Sequence, residues 1–365
     1  MKKHKICKIL LVILAIFLCV AFYELLGICI AYKKQPEVSN TTKRETKNGS
    51  WNECSENTER AVIIEKNPEA LLQRVRLIQN AKEEIILSTF AFKSDESGKL
   101  ILGALHDAAD RGVHIRLLVD GMESWIDMEG NPYFYGLSSH ENVEIKLYNK
   151  ANPLKPWKMM GRMHDKYLIA DGKIYILGGR NTYNYFLGDF PGHKNFDRDV
   201  LVVCDEPQKD NSVNQLWNYF ETIWEQEDCR YFHNSKKLAD RQSVKKAVLE
   251  LQEGYQQYFE VNKEKICDTD YADETFETEK IILLSNPIHT QAKEPVVWYQ
   301  LGELMKNAKE RVKIHTPYII CNDMMYNTWE EIAQKVPDFS IMTNSVQITE
   351  THLELLIMPK TETEF

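Results

Sequence analysis

The same six-residue entry into a strand occurs twice in this chain. Asn80-Ala81-Lys82-Glu83-Glu84-Ile85 and Asn307-Ala308-Lys309-Glu310-Arg311-Val312 each close a helical pattern. Each then leads into a strand (85–92; 313–320), a helix (98–111; 325–335) and another strand (113–119; 339–343). A short match in the same order with the same element types indicates an internal duplication. Strand, helix and strand in succession predict parallel strands joined by a right-handed crossover. The expected fold is therefore two related α/β lobes.

The rest of the first lobe reads in the same way. Residues 68–84 carry Leu71, Leu72, Val75, Ile78 and Ala81 at helical spacing. Residues 143–148 read as a strand, and 167–170 and 174–177 as strands flanking the turn Asp171-Gly172-Lys173. A strand over 200–203 and an amphipathic helix over 212–224 close the lobe. Residues 230–278 are charged and helix-like, as expected of a connector.

The net charge of −9 argues against nucleic acid as a partner, since a general nucleic-acid binder shows a basic excess or stripe. The eight cysteines include no CxxC pair, so no disulfide framework, metal site or cofactor is expected. At the N-terminus, residues 9–32 are apolar apart from Glu24 and follow Lys2, Lys3, Lys5 and Lys8. That run reaches the roughly 20 residues that span a bilayer and exceeds the usual signal-peptide core. A single-pass membrane anchor is expected over residues 1–34, with the domain exported. The rival is a cleaved signal ending at Ala31. The polar stretch 35–58 reads as a tether.

The chemistry-bearing residues cluster in 161–184, GRMHDKYLIADGKIYILGGRNTYN. His164 and Lys166, two apart on a strand, would present an imidazole and an ammonium to one side. Phosphodiester cleavage needs a nucleophile, cationic donors for the phosphoryl oxygens and an acid for the leaving group. Imidazole supplies the first, Lys166 the second, and Asn181 an amide donor brought close by Gly178 and Gly179. Taken singly, each would be an ordinary strand or turn residue. Asp199 is a candidate to orient the imidazole, or else a structural strand-edge acid, and His193 a more distant candidate.

His164, Lys166, Asp171, Gly178, Gly179 and Asn181 fit HxKxxxxDxxxxxxGGxN without a gap. At this point the chain resembles the phospholipase D superfamily, and its Phe90-Ala91-Phe92, Leu117–Gly121 and Thr316–Ile320 runs resemble the bacterial cardiolipin synthase-like branch. The resemblance implies a mixed-sheet α/β lobe with helices on both faces (59–229), a connector (230–278), a partial second lobe (279–345) and an atypical tail (346–365). It implies a phospholipid substrate, a phosphohistidine intermediate, and Asp171 as the acidic member of a catalytic set. A nuclease-type phosphodiesterase is the alternative substrate class.

Relatives with two lobes carry the motif twice, one histidine attacking and the other acting as acid. The first motif starts 84 residues after Asn80, and the same offset from Asn307 falls at 391, beyond residue 365. His352 is followed by Glu354 and Pro359 where a lysine and an aspartate belong. Three expectations follow: a truncated enzyme of low activity, a homodimer in which two His164 residues share one site, or an inactive phosphate-binding scaffold at the membrane.

Overall fold

The computed structural model describes residues 2–49, 59–207 and 211–344. The expected tail over 346–365, with His352, Glu354 and Pro359, lies outside the described residues. In chain order the elements are α1 (Lys2–Tyr32), α2 (Asn40–Asn48), β1 (Arg60–Ile64), α3 (Asn67–Asn80), β2 (Glu84–Thr89), α4 (Glu96–Asp110), β3 (His114–Asp120), α5 (Gly121–Asp127), α6 (Pro132–Ser138) and β4 (Val143–Tyr148). They continue with β5 (Tyr167–Ala170), β6 (Ile174–Gly178), β7 (Asp199–Val203), α7 (Ser212–Trp224), β8 (Cys229–Tyr231), α8 (Lys236–Ala239), α9 (Gln242–Cys267), β9 (Phe276–Glu277), α10 (Val296–Lys306), β10 (Arg311–His315), α11 (Asp323–Lys335) and β11 (Asp338–Met342).

The first unit comprises residues 1–34, 52–283 and 288–292 and is built on a nine-stranded sheet of order β8-β4-β3-β2-β5-β6-β7-β1-β9. Strands β2, β3 and β4 run parallel, while β5, β6 and β7 form an antiparallel meander against β2. This is the mixed sheet expected. Side chains alternate across it, as the strand period of two requires. Ile85, Leu87, Leu117 and Val119 pack with α3, α4, α6 and α9 on one face, and Ile86, Leu118, Tyr167 and Ile169 pack with α7 on the other. The sheet is thus buried on both sides.

The stretch read as a connector, 230–278, is built into this unit. Val244, Ala247, Leu251 and Tyr255 recur at helical spacing along α9 and are buried against the first unit's core. Gly103 of α4 makes the approach possible: a Cβ there would lie 2.6 Å from the Leu251 carbonyl oxygen. The charge of the segment belongs to the outer face of an amphipathic helix.

The second unit holds the described residues of 35–51, 284–287 and 293–365. Its β10 and β11 pair in parallel across α11, the element order of β2-α4-β3, as the repeated hexapeptide implies. Val312, Trp329, Ile332 and Val336 form its core. The expected tether carries a helix instead, α2. Ser39 caps its first turn by accepting the Thr42 N–H at 3.1 Å, and the Glu294 carboxylate accepts the Ser39 N–H and the Thr42 hydroxyl at 2.8 and 2.6 Å. A Ser N-cap and a carboxylate satisfy backbone donors that a polar composition does not reveal.

Candidate active site

His164 and Lys166 sit in the extended segment that leads into β5, just before the ladder begins rather than within it. Their side chains converge on Phe90 at the end of β2. The His164 ring meets the Phe90 ring edge-on at 4.6 Å between centroids, and the Lys166 ammonium stands 5.4 Å from the same centroid. Lys166 is buried and donates to the His164 carbonyl oxygen at 2.6 Å, whereas His164 lies open to solvent. Desolvation pushes the ammonium down to about 8, against the pull of Asp165 and Asp197. Desolvation and then the Lys166 charge lower the imidazole to about 4, with Asp120 opposing and Arg162 adding to the fall. The open ring edge lets water soften that shift, but its direction keeps His164 neutral, and so nucleophilic, at neutral pH.

What holds His164 in place is Asp120, a residue the sequence reading left as the end of a strand. Asp120 is fully buried where β3 turns into α5, and it accepts the Met122 and Glu123 N–H groups at 3.0 and 3.2 Å as an N-cap. It also accepts Arg162 Nε at 2.8 Å and the Met163 N–H at 3.0 Å. Arg162 in turn reaches Glu123 at 2.9 Å and lies over the Phe90 ring, 4.9 Å from its centroid. One carboxylate therefore fixes the two residues immediately before the imidazole. The only sequence signal for this was the Asp-Gly step after a buried strand.

Asn181 comes to the same end of the sheet. Its Oδ1 accepts the Ala91 N–H at 3.1 Å, next to Phe90, which leaves the amide nitrogen as its donor for a ligand. Gly178 and Gly179 precede it because a side chain there has no room. A Cβ at Gly178 would lie 2.0 Å from Asp199 Oδ1, and one at Gly179 would lie 2.1 Å from Asp197 Oδ2. Asp199 does not orient His164. It is fully buried at the start of β7, with Oδ2 2.9 Å from Arg74 and 3.2 Å from Arg180. Arg180 also donates to the Ile64 and Glu65 carbonyl oxygens and to Asn67. Asp199 is the counter-ion of two buried guanidiniums, and its strand-edge position conceals that burial. His193 is exposed and packs on Tyr185.

Asp171 is likewise placed away from this cluster. It lies beyond the far end of β5, five residues from Lys166, roughly 16 Å along an extended chain. With φ 52° it occupies the left-handed region beside Gly172 at φ 61°, in a tight turn closed by the Lys173 N–H on the Ala170 carbonyl. Its carboxylate accepts the N–H groups of Lys82, Glu83 and Glu84 at 2.9, 2.8 and 3.0 Å. Asp171 thus ties the β5–β6 turn to the start of β2. Its link to His164 runs through the sheet, not through contact, which corrects its assignment to the catalytic set.

Residues 74–224, which contain this cluster, match the family model described as cardiolipin synthase, PLD-like domain. Over this stretch the chain is similar to the phospholipase D superfamily, in its cardiolipin synthase-like branch. Cardiolipin synthase C of Escherichia coli (strain K12) is 29% identical over 154 residues, covering 38% of this chain and 31% of that protein. An uncharacterized protein of Helicobacter pylori (strain ATCC 700392 / 26695) is 27% identical over 318 residues, covering 80% of this chain. The chain spans 60% of that relative's length. The crystal structure of phosphatidylserine synthase from Haemophilus influenzae Rd KW20 superposes with a TM-score of 0.55 at 15% identity, over 84% of this chain and 66% of that one, which shows the shared fold.

Proposed function

We propose that this protein is a membrane-anchored phosphodiesterase of the phosphatidyltransferase type, acting on phospholipids with His164 as its nucleophile. The observation that carries the reading is the convergence of His164 and Lys166 on Phe90, with the Asn181 amide held beside them by Ala91. A neutral imidazole next to a buried ammonium and an amide donor suits attack on a phosphodiester, whose developing charge the two donors stabilise. In the first step a His164 ring nitrogen bonds to phosphorus while the bond to the leaving alcohol breaks, and an acid protonates that alcohol. In the second, an acceptor hydroxyl loses its proton to a base and displaces the imidazole from phosphorus. With phosphatidylglycerol as both donor and acceptor, the products are cardiolipin and glycerol.

The test is the full chain in phosphatidylglycerol vesicles, followed for cardiolipin, phosphatidic acid and released glycerol, with mass spectrometry for a phosphatidyl adduct on His164. Turnover that falls by orders of magnitude in His164→Ala and Lys166→Ala supports the reading. Full activity in His164→Ala rejects it. Cleavage of a nucleic acid but not of lipid would move the substrate to the nuclease class, and lipid binding without turnover would leave a scaffold.

A further inference from the structure

Between β4 and His164 the chain makes an excursion, Asn149 to Gly161, that stands against α1, the one described helix long and apolar enough to cross a membrane. The Tyr23 hydroxyl donates to the Leu154 carbonyl oxygen at 3.0 Å, and a Cβ at Gly27 would lie 2.5 Å from the Pro156 ring. Ala21, Glu24, Gly27, Ile28, Ala31 and Tyr32, one helical face, are the partly covered positions among the described residues of α1, while Phe17, Leu18 and Phe22 are exposed. Yet the excursion is itself apolar on its outer side. Leu154 is 77% exposed, Met160 58% and Trp157 44%. Lys155 beside them is exposed, as are Lys33 and Lys34 just past the end of α1.

We propose that the Asn152–Met160 excursion is a membrane-docking loop, which seats Leu154 and Trp157 at the acyl–headgroup boundary of an anionic bilayer and Lys155 among its phosphates. Lipid-exposed irregular backbone is not tolerated in the hydrocarbon core, so the water–lipid boundary falls where this loop meets α1, near Tyr23. The span is then about 18 residues, Ile6 to Tyr23, or about 27 Å of helix, close to the hydrocarbon thickness, with Lys8 reaching back to the headgroups. The last turns of α1 stand outside, which places Glu24 at the interface under the loop rather than in lipid. Tyr and Trp suit that level, because each pairs an apolar ring with a polar tip. The loop is clasped at its base by Asn149, whose amide donates to the Lys158 and Gly161 carbonyl oxygens at 2.7 and 2.8 Å. Gly161 is followed by Arg162 and Met163, which Asp120 holds, and then by His164. A loop seated in the headgroups therefore sets the height of the imidazole above the lipid. This inference rests on α1 crossing the membrane and is independent of any turnover at His164.

The experiment places a photoreactive diazirine residue, one position at a time, at Phe17, Leu154, Trp157 and Val261 of the full chain. The protein is reconstituted in vesicles of phosphatidylcholine with 30 mol % phosphatidylglycerol, taken as about the anionic content of a cell membrane, and lipid adducts are read by mass spectrometry. Val261 is 84% exposed on α9 and serves as the solvent reference. The expected result is lipid adducts at Phe17, Leu154 and Trp157, at least tenfold above Val261, with phosphatidylglycerol enriched at least twofold over its mole fraction at Leu154. Adducts at Phe17 with Leu154 and Trp157 no higher than Val261 would overturn the docking loop and leave the anchor standing. No adduct at Phe17 would overturn both. Adducts at Leu154 in proportion to lipid composition would overturn the anionic preference.

Discussion

The Oδ2 atom of Asp120 accepts the Met163 N–H at 3.0 Å, so the end of the third strand holds the residue next to His164. Asp120 touches no reacting atom and acts as a positioning residue. Asp120→Asn should lower kcat by about 10- to 100-fold with a smaller change in KM, the cost of misplacing a nucleophile by a fraction of an ångström. Its negative charge also favours the protonated imidazole. Removing it should therefore move the acid limb of the pH–rate profile to lower pH, an effect that general loosening of the fold would not produce. An unmoved limb would count against electrostatic contact between the two residues.

Lys166 ties activity to a cost in stability. Its folded-state value of about 8 lies below the ordinary lysine value, so the unfolded chain binds this proton more tightly. The sign follows from linkage: the buried ammonium destabilises the fold below pH 8, and stability is regained as pH rises from about 8 toward 10.5. At pH 7 the penalty is on the order of 3 kcal/mol. Lys166→Met should abolish turnover while raising stability at pH 7 by about 1–3 kcal/mol, since the bond to the His164 carbonyl is lost as well. Denaturant unfolding from pH 7 to 10 decides the matter, and a variant less stable than wild type at pH 7 would contradict it. In activity, the same two groups predict a bell, with an acid limb below the ordinary histidine range from His164 and an alkaline limb near 8 from Lys166.

Asp171 should behave as a fold residue. Asp171→Ala removes the acceptor of three N–H groups and places alanine at φ 52°, which should cost about 1–3 kcal/mol. Asp171→Asn keeps one acceptor oxygen and tolerates the left-handed region, so it should cost less than half as much. Folded Asp171→Asn should retain at least a third of wild-type kcat. A loss comparable to His164→Ala would restore Asp171 to the catalytic machinery.

The alternation of strand and helix, the parallel β2–β3 pair and the echo of that unit in β10-α11-β11 were legible because apolar periodicity and a repeated hexapeptide are local signals. His164, Lys166 and Asn181 were legible because their spacing is fixed by one hairpin. The roles of Asp171 and Asp199 were not, since both depend on partners distant in sequence: the 82–84 backbone for one, Arg74 and Arg180 for the other. Asp120 was hidden for the same reason, its partners Arg162 and Met163 lying 42 and 43 residues further on. The helix α2 was missed, and the packing of the helix-like stretch of α9 on the first lobe was not foreseen, because composition reports polarity, whereas a capping carboxylate and a buried stripe of one residue in three or four decide how a polar stretch folds.

If the chain turns over phosphodiesters by the proposed route, the leaving alcohol needs a protonated group while His164 must be neutral to attack, and one imidazole cannot be both at once. Lys166 is protonated below pH 8, but the proposed route keeps its charge on the phosphoryl oxygens. Two copies of the chain sharing a site across a twofold axis would supply one neutral and one protonated imidazole, titrating as a pair, and two ammonium groups for one phosphate. In the shared site, wild-type chains mixed with an excess of His164→Ala should lose more activity than dilution of wild type explains, because a mixed dimer holds one imidazole where two are needed. The expected outcome is specific activity that falls with dilution through the dimer dissociation range, and activity that falls roughly as the square of the wild-type fraction in the mixture rather than in proportion to it. Specific activity constant into a range shown by light scattering to be monomeric would reject the shared site and require an acid within one chain.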